Sequence, residues 1–152
     1  MNKFIKSFGY AFSGISEAIK TQRNLRFHIV AVLYVSLTAV ITNVSKTDWI
    51  AILICFALVL SSEMFNTAVE KLCDTLHPEK SEKLKFVKDV SAGAVLISAI
   101  ISAIVGAIIF FDRETLQIAA DFIKNNVVLT IVIVCTLVPA IMFVSGRKKN
   151  DN

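Results

Sequence analysis

The chain has 152 residues and a formal net charge of +4, and 55% of its residues are hydrophobic. This apolar content, with a mean hydropathy of +0.69, exceeds that of soluble domains and predicts an all-α integral membrane protein. The positive charge is explained by membrane topology and by attraction to anionic headgroups, and the sequence contains no recognisable nucleic-acid-binding module, so we expect no nucleic-acid partner.

Residues 3–22 form the first predicted element, an amphipathic helix that lies in the membrane surface. Apolar residues recur along it at steps of three and four, and charged residues avoid that face. The apolar stripe consists of Phe4, Phe8, Phe12, Ile15 and Ile19. Two interpretations follow: the helix is a plain membrane anchor, or it forms a lid over a site at the cytoplasmic interface.

Four apolar segments follow, and each is about long enough to cross a hydrocarbon core of roughly 30 Å at about 1.5 Å per residue, the first and last only just. They cover about residues 28–44, 49–72, 90–111 and 127–144, and a mixed outward-facing segment, 112–126, precedes the last. Pro139 inside the fourth segment predicts a kink.

The distribution of Lys and Arg predicts the topology of these spans. Residues 1–26 carry five of these cations, residues 71–88 carry five and residues 147–149 carry three, whereas the alternate loops carry three in total. Because short loops rich in Lys and Arg stay in the cytoplasm, both termini and the 71–88 loop are predicted to be cytoplasmic.

The end of the second predicted span carries acids that are unusual for a membrane helix. Glu63, Asn66, Thr67, Glu70 and Asp74 share one helical face. Glu63 is expected about 12 Å below the cytoplasmic surface, where a carboxylate is costly unless it is paired, hydrated or protonated. The arrangement suits a proton path or a metal site with an adjacent base, and a structural hydrogen-bonded pair is the alternative.

Lys88 and Asp89 begin the third predicted span at the membrane depth where the second span ends. A lysine at this position can neutralise a phosphate, whereas a magnesium ion needs carboxylates. The ordinary positive charge of a cytoplasmic loop is the alternative explanation. Small residues of this span, Ser91, Ser98, Ser102 and Gly106, share a face, which favours close helix packing and is compatible with an oligomer.

These residues carry a resemblance to a known family. Residues 63–70, EMFNTAVE, followed by Asp74 and by residues 88–95, KDVSAGAV, resemble the small bacterial membrane kinases that phosphorylate diacylglycerol or undecaprenol. Residues 23–28, RNLRFH, are similar to the Gram-positive branch, whose better-known activity is on undecaprenol. The resemblance covers residues 3 to about 111.

The resemblance implies a surface helix with three transmembrane helices, which assigns residues 1–111 to a membrane lipid kinase domain. Residues 112–126 are then an outward-facing connector, and residues 127–152 add a fourth transmembrane helix with a basic cytoplasmic tail. Members of the family work as homotrimers in the bacterial cell membrane, so the resemblance implies the same assembly and location for this chain.

The resemblance also implies roles for individual residues, with ATP as co-substrate and Mg²⁺ as cofactor. Glu63 matches the general base that takes the proton from the lipid hydroxyl, Glu70 matches a magnesium ligand, and Asn66 and Asp74 match supporting residues. The implied ATP contacts are Lys3, Tyr10, Gln22, Glu70, Glu79, Lys80, Ser81, Lys88 and Asp89. The implied lipid contacts are Glu63, Phe12, Arg26 and Ala92. Under this resemblance the surface helix becomes part of the site.

Gln22 departs from the family pattern, which usually has a second metal-binding glutamate at this position. An amide oxygen can still contact magnesium, but one negative charge is lost. Either metal binding is weaker, or Glu17 or another carboxylate compensates. We expect a kinase that prefers undecaprenol over diacylglycerol; the alternatives are a catalytically weakened family member, a small transporter and a membrane assembly protein.

Overall fold

The computed structural model describes residues 3–76 and 81–146, with only the backbone described for Lys3. Glu79, Lys80 and the basic tail at residues 147–149 lie outside this part of the chain. The described residues form helices connected by short turns, which confirms the all-α prediction. The helices are α1 (Lys3–Thr21), α2 (Arg23–Ile41), α3 (Lys46–Leu76), α4 (Glu82–Phe110), α5 (Arg113–Asn125), α6 (Val127–Cys135) and α7 (Leu137–Ser145).

Four helical segments are long and apolar enough to cross a membrane: α2, α3, α4 and the joined α6–α7 segment, Val127–Ser145. The four-span prediction is therefore confirmed. The 31 residues of α3 extend over about 45 Å, which exceeds the roughly 30 Å of a hydrocarbon core. The acidic end of α3 therefore continues from the hydrocarbon into the interface.

The helices α3 and α4 run antiparallel and share the most extensive contact in the fold, and α2 packs against both α3 and α7. The small residues of α4 face α3, as their spacing predicted: the hydroxyl oxygens of Ser98 and Ser62 are 3.0 Å apart. At the opposite end from the acids, Ala39, Ile52 and Ile109 form a buried apolar cluster. The pairing of α3 with α4 therefore sets the positions of the site residues.

Helices α1 and α2 are separated only by Gln22, which has an extended backbone with φ −100° and ψ 115°. The Gln22 N–H donates to the Ala18 carbonyl at 2.8 Å, and its own carbonyl accepts from the Arg26 N–H at 3.3 Å. We call this joint the α1–α2 elbow. The apolar stripe of α1 is exposed, with Phe4 and Phe12 at 69% and 68% exposure, so this face is free to meet lipid.

The fourth span is interrupted at Thr136, between α6 and α7. Pro139 lies three residues further on and has no backbone N–H, so the carbonyl of Cys135 loses its usual helical partner. The interruption agrees with the kink that the sequence predicted. The Thr136 hydroxyl oxygen lies 2.8 Å from that of Tyr34, which joins the middle of the span to α2.

The connector between the third and fourth spans is the helix α5. The Asp112 carboxylate accepts from the backbone N–H groups of Thr115 and Glu114, at 3.2 and 2.8 Å, and so caps the helix N-terminus. Hydrogen bonding from Thr115, and then from Glu114, lowers the pKa of Asp112. Since the pKa is lowered, the cap stabilises α5 at pH values above the usual pKa of an aspartate. This stabilisation is lost as the pH falls through the lowered pKa.

Candidate functional site

Glu63 is buried within α3, with only 2% of its surface exposed. The side chain of Asn24, in the first turn of α2, lies against its carboxylate. Burial of an acid in a membrane-spanning helix has a substantial free-energy cost. A functional role for Glu63 explains the presence of the acid better than a role in folding does. The sequence assigned no role to Asn24, although it lies within the RNLRFH segment; only the packing of α2 on α3 brings it to Glu63.

Asn66 connects α3 to α4 and is also buried, with 6% exposure. Its Nδ2 donates to Glu70 Oε1 at 3.1 Å, and its Oδ1 accepts from the Ser91 hydroxyl at 2.6 Å. Both polar ends of the Asn66 side chain are therefore engaged, so its orientation is fixed. Within the described residues, the second Glu70 oxygen, Oε2, has no hydrogen-bond partner, and it remains available to a ligand.

One turn further along α3, Asp74 forms an ion pair with the Lys88 ammonium group of α4. Within residues 3–76 and 81–146 this is the one ion pair that the structure contains. The Asp74 side chain is 64% exposed and that of Lys88 is 36% exposed. Because exposed ion pairs contribute little to stability, Lys88 can exchange its carboxylate partner for a phosphate at low cost.

The structure thus places Glu63, Asn66, Glu70 and Asp74 on successive turns of α3, with Lys88 of α4 beside Asp74. This array is called the acid ladder below. Along α3 its members run from Glu63, which is the most buried, to Asp74, whose side chain is 64% exposed. The ladder also contains Ser91, which the sequence placed on the packing face of α4 and which proves to hold Asn66.

The remaining predicted site residues lie outside these contacts. Tyr10 and Phe12 are exposed on α1, at 76% and 68%, while Asp89 and Ala92 are exposed on α4. Ser81 precedes the first turn of α4 and makes no side-chain capping bond. These exposed positions are compatible with contacts to substrates.

Two further predicted residues lie at or beside the α1–α2 elbow. Gln22 is half-buried, and its amide Nε2 lies 3.5 Å from the Thr21 hydroxyl. Arg26, expected to contact lipid, is buried at 6% exposure, and its guanidinium donates to backbone carbonyls of α1 and of the segment that ends the fourth span. The structure therefore gives Arg26 a bonding role within the protein.

The donor groups of the site fit a magnesium ion that arrives with ATP. Within the described residues there is no cluster of three or more His, Cys, Asp or Glu side chains able to hold a metal alone. Magnesium is usually bound by one or two carboxylates together with phosphate oxygens and water. Glu70, with its uncommitted oxygen, and the amide oxygen of Gln22 are donors of this kind.

An apolar cavity of about 320 Å³ lies between α2, α3 and α4. It begins at Val59, one helical turn from Glu63, and extends to Phe110 at the far end of α4. Its polar lining is limited to His28 and Ser102, apart from the thiol of Cys55. Its lining suits a hydrocarbon chain.

Comparison with known proteins points to one family. The sequence pattern of prokaryotic diacylglycerol kinase matches residues 9–110. An undecaprenol kinase of Bacillus subtilis is 35% identical over 113 residues, which cover 74% of this chain and 92% of the relative. A diacylglycerol kinase of Escherichia coli is 28% identical over 111 residues, which cover 73% of this chain and 91% of the relative.

A diacylglycerol kinase of Synechocystis is 38% identical over 101 residues, which cover 66% of this chain and 58% of the relative. No solved structure was found to match the chain. The family match ends at residue 110, the last residue of α4, so that α5, α6 and α7 lie beyond it. The whole acid ladder falls within the matched residues.

Proposed function

The chain belongs to the prokaryotic diacylglycerol kinase family and is an ATP-dependent membrane lipid kinase; on this premise we propose that it phosphorylates undecaprenol at the acid ladder. The observation that carries the proposal is the buried Glu63 carboxylate, which lies two helical turns before Glu70 in α3 and has Asn24 of α2 beside it. A base at this depth can reach the hydroxyl of a lipid that remains in the bilayer, while ATP approaches from the water side.

In the proposed reaction, Glu63 accepts the proton of the lipid hydroxyl. The hydroxyl oxygen then forms a bond to the γ-phosphorus of ATP, the bond from that phosphorus to the β,γ-bridging oxygen breaks, and ADP leaves. Phosphoryl transfer of this kind depends mainly on positioning and charge neutralisation. The burial of Glu63 and the exposed position of Lys88, about three turns apart along the α3–α4 pair, support this assignment of base and cation.

Glu70 and Gln22 are the proposed magnesium ligands, and Lys88 is the proposed phosphate contact. A bound magnesium ion would neutralise charge on the phosphates of ATP. Asn66 orients Glu70 through the 3.1 Å bond to Oε1, and Asp74 holds Lys88 before the nucleotide binds. The proposed ATP site is completed by the other positions that match the family's nucleotide contacts, which are Lys3, Tyr10, Glu79, Lys80, Ser81 and Asp89.

Undecaprenol is the proposed acceptor because a relative that is 35% identical and matched over 92% of its own length is named an undecaprenol kinase. The apolar cavity that begins one turn from Glu63 is lined almost entirely by hydrocarbon side chains, which suit the chain of either lipid. Diacylglycerol is the alternative acceptor, as the names of other relatives suggest.

The decisive experiment offers both lipids in parallel to the purified protein in mixed micelles, with γ-labelled ATP and magnesium. We expect label in undecaprenyl phosphate and much less in phosphatidic acid. Greater labelling of phosphatidic acid would reverse the proposed preference. Label in neither lipid would overturn the proposed function.

We further propose a homotrimer in the bacterial cell membrane, with both termini in the cytoplasm. The distribution of Lys and Arg supports this orientation, and the exposed apolar side of α4, including Ile97, Ile101 and Ile108, leaves room for a neighbouring subunit. Mass spectrometry of the detergent-solubilised protein tests the subunit number. Fusion of reporter enzymes to each end tests the orientation.

Ser91→Ala tests the bond that holds Asn66. Without this donor, Asn66 Oδ1 is unsatisfied and its amide is no longer fixed against Glu70, so we expect the KM for ATP to rise about fivefold, as for the loss of one buried hydrogen bond. The matched control is Ser98→Ala, which removes the contact with Ser62 deeper in the same helix pair. An equal rise in both variants would show that general packing, not Asn66, is responsible.

Gln22→Glu tests whether the elbow contributes to magnesium binding. The substitution restores a carboxylate at the position where the family usually has one, and we expect the magnesium concentration for half-maximal activity to fall about threefold to tenfold. Thr21→Glu, one residue earlier in α1, controls for a general increase in negative charge. An unchanged requirement in Gln22→Glu would contradict a role for this position.

A further inference from the structure

The fourth span, which lies beyond the family match, reaches back to the α1–α2 elbow through a single side chain. Arg26 Nη1 donates to the carbonyls of Ile19 and Lys20, at 3.1 and 2.9 Å. Its Nη2 donates to the carbonyls of Val144 and Gly146, at 3.4 and 3.0 Å. One guanidinium therefore joins the end of α1 to the end of α7.

The chemistry of this junction explains why an arginine can be buried there. The last carbonyls of a helix have no partner within the helix and carry partial negative charge, which favours a cation beside them. Arg26 is 6% exposed, and within the described residues it forms no ion pair, so these carbonyls compensate its charge. The planar guanidinium can serve two helix ends at once, which the single ammonium of a lysine cannot do equally well.

The junction adjoins the acid ladder. Arg26 lies in the first turn of α2, two residues after Asn24, which lies against the Glu63 carboxylate, and four residues after Gln22. The α1–α2 elbow has no loop that could absorb a movement, because Gln22 is its only non-helical residue. A displacement of Arg26 is therefore transmitted to both of its neighbours at the site.

We propose that the fourth span is an intramolecular brace for the kinase site: its terminal carbonyls hold Arg26, and Arg26 holds the α1–α2 elbow against α3. Arg26 is thus a positioning residue that acts through Asn24 and Gln22. This inference rests on the proposed function of the acid ladder. It assigns a role in the reaction to the fourth span, which the family match does not include.

The test keeps the full chain and turns the carbonyls of the brace away from Arg26. Ser145→Pro drives the preceding residue, Val144, out of the helical conformation, so that the carbonyl of Val144 and the path of the chain to Gly146 change direction. The hydroxyl contact between Tyr34 and Thr136 lies earlier in the span and is unchanged. We expect kcat/KM for ATP to fall about tenfold, as for a displaced catalytic group, with little change in the KM for the lipid. Thr136→Val, which removes the other contact between the span and α2, is the control and should retain full activity.

Combination with Arg26→Ala distinguishes a brace from a general effect on stability. If the carbonyls act through Arg26, Ser145→Pro should cause no further loss in the Arg26→Ala protein. Arg26→Lys should retain more activity than Arg26→Ala in the otherwise unaltered chain, and no more than Arg26→Ala in the chain that also carries Ser145→Pro. Additive losses, or a Ser145→Pro protein with unchanged kcat/KM, would overturn the brace.

Trypsin cleavage provides a readout that does not depend on catalysis. Lys20 and Arg23 are exposed on the two sides of the elbow. Release of the brace should increase cleavage after these residues at least about threefold, because local opening frees the helical backbone beside them for the protease. Unchanged cleavage in the Ser145→Pro protein would contradict the brace even if the protein proved inactive on lipid alcohols. Inactivity of the unaltered protein alone would contradict the proposed function.

Discussion

Glu63→Gln is expected to lower kcat by at least about 10³-fold while the protein still folds and inserts into membranes. The amide has nearly the same shape as the carboxylate and fits the same buried position, but it cannot accept the proton of the lipid hydroxyl. Single-turnover phosphorylation of undecaprenol in mixed micelles measures the loss. The KM for ATP should change little, because the nucleotide contacts the ladder nearer the surface.

Glu114→Gln makes the same exchange on α5, outside the matched family residues, and serves as the control. It should retain the activity of the unaltered chain. The elution volume and thermal unfolding of both variants show whether assembly is intact. Near-normal turnover in a well-folded Glu63→Gln protein would exclude Glu63 as the base. Glu70 would then be the remaining glutamate of the acid ladder that could accept the proton.

Glu70→Gln is expected to have the second largest effect, with about a 10²-fold lower turnover and a higher magnesium requirement. The substitution removes the charge that would neutralise the metal, while its amide oxygen can still accept the hydrogen bond from Asn66. A titration with magnesium at fixed ATP measures both quantities. Partial recovery in the double variant with Gln22→Glu is expected if both positions contact the same ion.

Glu82→Gln, in the first turn of α4, is the control for charge near the surface. It should leave the magnesium titration unchanged. A Glu70→Gln protein with reduced turnover but an unaltered magnesium requirement would contradict a metal-binding role. Such a result would assign Glu70 to nucleotide orientation alone.

The helices and the acid ladder could be predicted because both depend on local order. Apolar length determines which segments can cross a bilayer, and helical periodicity places Glu63, Asn66 and Glu70 on one face. The position of Lys88 near the end of α3 also followed, because two helices joined by a short connection must meet at the same membrane depth. Its ion pair with Asp74 was not predicted. Each of these predictions requires only distances along the chain.

Contacts between distant segments could not be predicted in this way. Asn24 reaches Glu63 across the packing of α2 on α3, and Ser91 reaches Asn66 across the pairing of α3 and α4. The clearest example is Arg26, which looked like a lipid contact beside the interface. Its partners are backbone carbonyls more than a hundred residues away, and carbonyls carry no signature in the sequence.

The single non-helical residue at Gln22 has a consequence for the orientation of α1. With no loop between the two helices, the rotational phase of α1 about its own axis is determined by that of α2. Each residue of an α-helix adds about 100° of rotation. Insertion or deletion of one residue at this joint would therefore turn Phe4 and Phe8 away from the bilayer, whereas insertion or deletion of a whole turn would not. The orientation of α2 thereby determines the direction in which α1 presents its apolar stripe, and it also determines the direction of the opposite side, where Lys3 and Lys6 lie.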